Sequence, residues 1–203
     1  MFITFEGIDA SGKSTQAKLF AEYLSLSNRN FIFVREPGGT NAGEEIRQIL
    51  LHRNHTMSGE TEFLLFSAAR AQLTREVILP NLDRGYIVVA DRYSDSSLAY
   101  QGYGRGLDIE MVKQISSFAV SKLIPDLTFF IDIPVNEAIN RMRKEMKSDR
   151  IETEGSDFFE RVRRGYLKLK EEDESRFHII DGTRDIESIQ DEIRSVFLNH
   201  PVK

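Results

Sequence analysis

Five short apolar runs constrain the fold of this chain more than any other feature: Phe2 to Phe5, Phe31 to Val34, Tyr86 to Ala90, Leu127 to Ile131 and Phe177 to Ile180. They are rich in β-branched and aromatic residues and lack polar alternation, the pattern of strands buried on both faces of a parallel sheet. The segments between them carry helical spacing. Ala17, Phe20, Ala21 and Leu24 form one apolar stripe; Val135, Ala138, Ile139, Met142 and Met146 form a second; Ile186, Ile189, Ile193, Val196 and Phe197 form a third. Glu60 to Leu82 and Met111 to Lys122 also read as helix, the latter opened by Leu107 or Asp108. Alternating strands and helices predict an α/β fold with right-handed crossovers. Each run is followed by a polar or charged residue, at Glu6, Arg35, Asp91, Asp132 and Asp181. In an open parallel sheet these positions share the edge where ligands bind.

The 203 residues contain no internal repeat and no Pro/Gly/Ser linker, so a single domain over residues 1–203 is expected. The absence of cysteine excludes disulfides, thiolate zinc sites and a cysteine nucleophile, and is compatible with a reducing compartment. A net charge of -5 argues against a general nucleic-acid binder while leaving room for a local basic pocket. No basic segment precedes Glu6 and no run of about 18 apolar residues occurs, so neither a signal peptide nor a membrane span is expected. These features predict a soluble, cytoplasmic protein.

The most specific motif is Gly7-Ile8-Asp9-Ala10-Ser11-Gly12-Lys13-Ser14, a complete G-x-x-x-x-G-K-[ST]. Its glycines let backbone amides face a phosphate chain, Lys13 can reach the β and γ phosphates, and the Ser14 hydroxyl can ligate magnesium. It follows the first apolar run and opens the Ala17 to Leu24 stripe, whose helix N-terminus favours an anion. Gly7 to Thr15 are therefore the expected nucleoside triphosphate contacts. No N-K-x-D guanine-reading motif occurs, and the third run ends in Asp91-Arg92-Tyr93 rather than Asp-Glu. An acid followed by arginine suits magnesium at Asp91 and a second anionic group at Arg92. That second group points to a phosphoryl acceptor that is itself a nucleotide.

Together with the loop, Arg35-Glu36-Pro37-Gly38-Gly39-Thr40, Leu65-Phe66-Ser67-Ala68-Ala69-Arg70 and the block from Asp91 to Gly102 resemble bacterial thymidylate kinase, in family order and across essentially the whole chain. The resemblance implies a three-layer P-loop NTPase fold with a five-stranded parallel sheet flanked by helices. It implies transfer of the ATP γ-phosphoryl group to dTMP with Mg2+, and a homodimer that takes no nucleic-acid polymer or membrane as partner. Phe66 and Arg70, four apart on one helical face, would stack on thymine and donate to its O4. Arg47 and Arg92 would meet the acceptor phosphate, and Glu36 would shape the acceptor pocket. Asp9 would hold the sugar 3'-hydroxyl, Ser97 and Gln101 would approach the base, and Tyr100 would exclude a 2'-hydroxyl. One branch of the family has a P-loop arginine where this chain has Ala10, so a lid at about residues 143–155 should supply the positive charge that speeds phosphoryl transfer. Among Arg141, Arg143, Lys144, Lys147 and Arg150, the preferred catalytic candidates are Arg143 and Arg150, beside Lys13 and Arg92. The competing readings are a kinase of another nucleoside monophosphate or a deoxynucleoside, and a P-loop protein that uses ATP as a switch.

Overall fold

A computed structural model describes residues 1–52, 56–144 and 150–200; Met146, Lys147 and Asp149 lie outside the described residues. Five strands form one parallel sheet: β1 Phe2–Glu6, β2 Phe31–Arg35, β3 Ile87–Asp91, β4 Leu127–Asp132 and β5 Phe177–Asp181, in the order β2-β3-β1-β4-β5. Each strand ends on the charged residue that follows its apolar run. Register brings Arg35 beside Asp91 and Asp132 beside Asp181, so these charges collect along one edge.

Both faces of the sheet are covered. Phe5, Phe129 and Ile131 turn one way, where α1 (Lys13–Leu26) and α9 (Ile186–Asn199) bury Phe20, Leu24, Ile193 and Phe197 against them. Phe130 turns the other way, stacked on Tyr166 of α8 (Ser156–Glu172) at 5.0 Å between ring centroids. Full burial of such a side chain contributes roughly 1.5–3 kcal/mol.

Local chemistry explains where helices start. Asp108 caps α6 (Ile109–Ala119) by accepting from the Met111 amide, and Thr40 caps α2 (Asn41–Leu51) by accepting from the Gly43 amide at 3.0 Å. In contrast, α1 begins at Gly12, which has no side chain to occupy the first-turn N–H groups. The helical path expected from Glu60 to Leu82 exists, with a widened middle. It runs as α3 (Gly59–Leu73), a π-helical turn over Thr74–Ile78 and α4 (Leu79–Asp83). Pro80 has no N–H for the carbonyl four residues earlier, and the ladder widens just before it. A second π-helical segment, Leu98–Gly104, follows the short α5 (Ser94–Ser97). The remaining helix, α7 (Val135–Lys144), leads into the charge-dense segment.

Candidate functional site

The chain leaves the central strand β1 and wraps tightly before entering α1. Gly7 adopts φ 150°, and a Cβ there would lie 2.6 Å from the Ile131 carbonyl oxygen, so the close pass against β4 requires glycine. Gly12, at φ 92°, turns the loop into the helix. Inside this wrap lies the buried Lys13 ammonium, 3.8 Å from Asp9 Oδ1 and donating to the Ile8 carbonyl at 3.4 Å. Burial, and then the like charge of Arg92, lowers the pKa of that ammonium from its ordinary value.

Arg92 follows β3 in a left-handed backbone conformation, φ 74°. This turn swings its guanidinium over the loop, where Nη1 donates to the Gly7 carbonyl at 3.0 Å and Nη2 donates to Asp9 Oδ1 at 2.5 Å and to the Tyr100 hydroxyl at 2.9 Å. Tyr100 in turn donates to Asp9 Oδ2 at 2.8 Å. Burial alone would push the Asp9 carboxyl up, but Arg92 and Lys13 outweigh it and hold Asp9 below the usual carboxylate range. Beneath Arg92, Glu6 accepts from the Tyr93 amide at 2.7 Å, the Ser96 hydroxyl at 2.6 Å and the Tyr166 hydroxyl at 2.8 Å. Its carboxyl is pushed up to about 7 by burial and by the neighbouring charge of Asp95.

Across the sheet edge, α3 presents Glu62, Phe66 and Arg70 at four-residue intervals on one face. Arg70 is 1% exposed; its Nε donates to Glu36 Oε2 at 2.6 Å and its Nη1 to the Ser97 hydroxyl at 2.7 Å. Burial raises the Glu36 carboxyl to about 7 in spite of the Arg70 charge. Arg47 donates to the Pro37 carbonyl at 2.7 Å.

A cavity of about 780 Å³ joins these parts. Asp9 to Thr15, Glu36, Arg47, Phe66, Asp91, Arg92, Tyr100 and Gln101 all line it. Gly7 and Ile8 are buried behind the loop, while Arg70 and Ser97 lie beneath the pocket lining. Arg143 is exposed at the end of α7 and does not line the cavity. Arg150 also stays outside it, donating to Glu62 Oε2 at 2.6 Å and to the Leu50 carbonyl at 3.2 Å.

Sequence reasoning named one contributor without preferring it and missed two. Arg141 lines the cavity and reaches the Ala10, Ser11 and Gly182 carbonyls at 3.2–3.5 Å. Glu62 could have been found, since it lies one turn before Phe66 on the face already singled out. Tyr166 carries no local signal: it meets Glu6 from 160 positions away.

The comparisons with known proteins agree with this geometry. The family model for thymidylate kinase matches residues 5–193. A thymidylate kinase of Kosmotoga olearia is 56% identical over 98% of this chain and 95% of its own, and one from Thermosipho africanus is 49% identical over 98% of each. Among solved structures, a crystal structure of thymidylate kinase from Ehrlichia chaffeensis superposes with a TM-score of 0.80 at 36% identity, covering 98% of both chains. With its loop, its cavity and its whole length accounted for in this way, the chain belongs to the thymidylate kinase family.

Proposed function

We propose that this protein transfers the γ-phosphoryl group of ATP to dTMP, producing dTDP and ADP for dTTP synthesis in the cytoplasm. The observation that carries the reading is the single cavity in which a phosphate-binding loop and an aromatic, amide-lined pocket meet across Arg92. In this reading the α1 N-terminus and Lys13 hold the ATP phosphates, with amides and an ammonium that need no reorganisation when charge develops. Arg92 faces the acceptor phosphate, and Arg47 lies within reach of the same part of the cavity. Asp9, kept ionised by Arg92 and Lys13, accepts from the sugar 3'-hydroxyl, and Tyr100 occupies the space beside it. Phe66 offers its ring to the base, and Glu36, Arg70 and Ser97 brace the pocket from beneath.

A magnesium ion fits the donor set. Asp91 Oδ1 is buried without a hydrogen-bond partner, and Ser14 lines the same cavity. Magnesium typically binds one or two carboxylates together with substrate phosphates, and when bound it would neutralise charge on the triphosphate. Arg143 and Arg150 are proposed as lid charges that must move inward to act. Arg141 needs no such movement to meet the donor side. Exposed Leu64 on α3 and exposed Met111 and Phe118 on α6 support a homodimer, because burying apolar helix faces against a second copy would remove them from water.

The test is ADP formation with ATP, magnesium and a panel of dTMP, dCMP, dGMP and AMP. dTMP should be the best acceptor by a wide margin. Equal rates with dCMP would end the thymine reading, and nucleotide binding without acceptor-dependent ADP would favour the switch alternative.

A further inference from the structure

One charged side chain next to the acceptor pocket has no part in the reading above. Glu62, 1% exposed, accepts four hydrogen bonds: Oε1 from Gln101 Nε2 at 2.8 Å and Arg105 Nε at 3.2 Å, and Oε2 from Arg105 Nη2 at 2.9 Å and Arg150 Nη2 at 2.6 Å. Arg105 is held from its other side by Glu154. Burial alone would push the Glu62 carboxyl up, but the hydrogen bonds from Arg105, Gln101 and Arg150 outweigh it and keep the group below its ordinary range. An ionised carboxylate accepts and cannot donate. The Gln101 amide therefore has only one orientation that satisfies Glu62, with nitrogen toward the carboxylate, which leaves the carbonyl oxygen as its free acceptor. Gln101 lines the cavity, so the edge it offers a base is an acceptor.

The placement of Glu62 reinforces the point. Glu62 and Arg70 lie one turn before and after Phe66 on α3, and their partners Gln101 and Ser97 lie four apart on the facing segment. Two polar rungs thus bracket the aromatic ring. Gln101 is the rung that lines the cavity, whereas Arg70 lies beneath it.

We propose that Glu62 is a positioning residue that sets base choice by aiming the Gln101 carbonyl at the N3–H of thymine. Cytosine presents an unprotonated N3 acceptor at that position, so it would set acceptor against acceptor and leave both unpaired. The inference rests on the dTMP-kinase reading and deepens it.

The experiment compares kcat/KM for dTMP and dCMP in the full-length enzyme, with folding checked by thermal melting. Glu62→Gln can either accept from or donate to Gln101, freeing the amide to turn, and Glu62→Asp keeps the charge but withdraws it from the amide. Each should lower the dTMP-to-dCMP ratio by about ten-fold or more, since a site built to pair a substrate N–H discriminates through that pair. In a Gln101→Leu background the same changes should leave the ratio alone. A purely structural Glu62 would weaken both substrates equally; an unchanged ratio in Glu62→Gln and Glu62→Asp, or an equal change in the Gln101→Leu background, would overturn the proposal. Should either variant fail to fold, 3-methyl-dTMP decides on the unaltered enzyme, where loss of the N3–H should cost about 100-fold or more against dTMP; near-equal use overturns the proposal. If the unaltered enzyme shows no preference for dTMP over dCMP, the functional reading itself has failed, a result distinguishable from failure of the Glu62 assignment.

Discussion

The two ends of the cavity differ in what they are made of. The loop from Gly7 to Thr15 is contiguous in sequence and works through backbone geometry, with positive φ at Gly7, Ala10 and Gly12 and first-turn amides left uncapped. The acceptor end is assembled from side chains on α2, α3 and the segments after β2 and β3, and most of its polar groups are already paired: Arg70 with Glu36 Oε2 and Ser97, Gln101 with Glu62, Arg47 with Pro37. A triphosphate is recognised by a dense array of donors that any backbone can supply. A base is recognised by the position of a few particular atoms, and position has to be fixed by neighbours.

On that contrast, damage at the acceptor end should register as lost stability and damage at the donor end as lost rate. The largest effect is expected for Arg70→Ala, which removes the shared partner of Glu36 and Ser97 in a site where Arg70 and Glu36 are almost fully buried. Breaking such a pair costs about 3–5 kcal/mol, measurable by denaturant unfolding; a loss below about 1 kcal/mol would mean the pair does not hold the pocket together. Next comes Lys13→Ala. Turnover should drop by about 10²–10³ while the thermal midpoint and the KM for dTMP stay near their original values. A large fall in stability instead would blur the distinction between the two ends.

Glu6, shared by both halves beneath Arg92, gives a pH-dependent effect. Its carboxyl lies near 7 in the fold against an ordinary 4.5, so between these values the native state keeps a proton that the unfolded chain has released. Linkage then makes stability fall as pH rises through that window, with the benefit fully present below about 4.5. Glu6→Gln keeps the acceptor for the Tyr93 amide and lets the Ser96 and Tyr166 hydroxyls turn to accept. It should flatten the pH profile of the unfolding free energy by on the order of 3 kcal/mol, at about 1.4 kcal/mol per pKa unit. The retained slope of Glu36, which has the same sign, is the residue expected in the variant. The smallest effect separates two neighbours on α7. Arg141→Ala should raise the KM for ATP by about ten-fold, the size of one charge-assisted hydrogen bond, whereas Arg143→Ala should matter less unless lid closure brings it inward. Normal kinetics for Arg143→Ala and Arg150→Ala together would remove both from the catalytic assignment.

The same contrast governs what the sequence reveals. Strands were legible because a strand covered on both faces is largely apolar; β1, β3 and β4 are buried in that way, the edge strands β2 and β5 only in part, and each strand stops at the charged residue anticipated. The donor loop was legible because its chemistry is local. Pairings such as Asp95 with Arg176, Asp132 with Arg163 and Tyr166 with Glu6 were not, since each joins residues far apart in the chain and neither member differs in type from an ordinary surface residue. Arg141 and Arg143 show the limit most clearly. They are the same amino acid two positions apart in one helix, and about 200° of helical rotation decides which of them meets the loop.

The π-helical segment Leu98–Gly104 gives the acceptor end an unusual fragility. A helix held in a wider turn by one surplus residue can relax to the ordinary α turn if that residue is lost. Residues between the deletion and the end of the widened segment would then shift by about 100° around the axis, while the chain beyond Gly104 keeps its place. With the deletion before Gln101, that side chain would turn off Glu62 while Arg105 stayed on the same carboxylate. A single-codon deletion here would erase the base-reading edge while removing no recognised side chain, which makes this stretch one whose length, and not only its lettering, encodes the substrate.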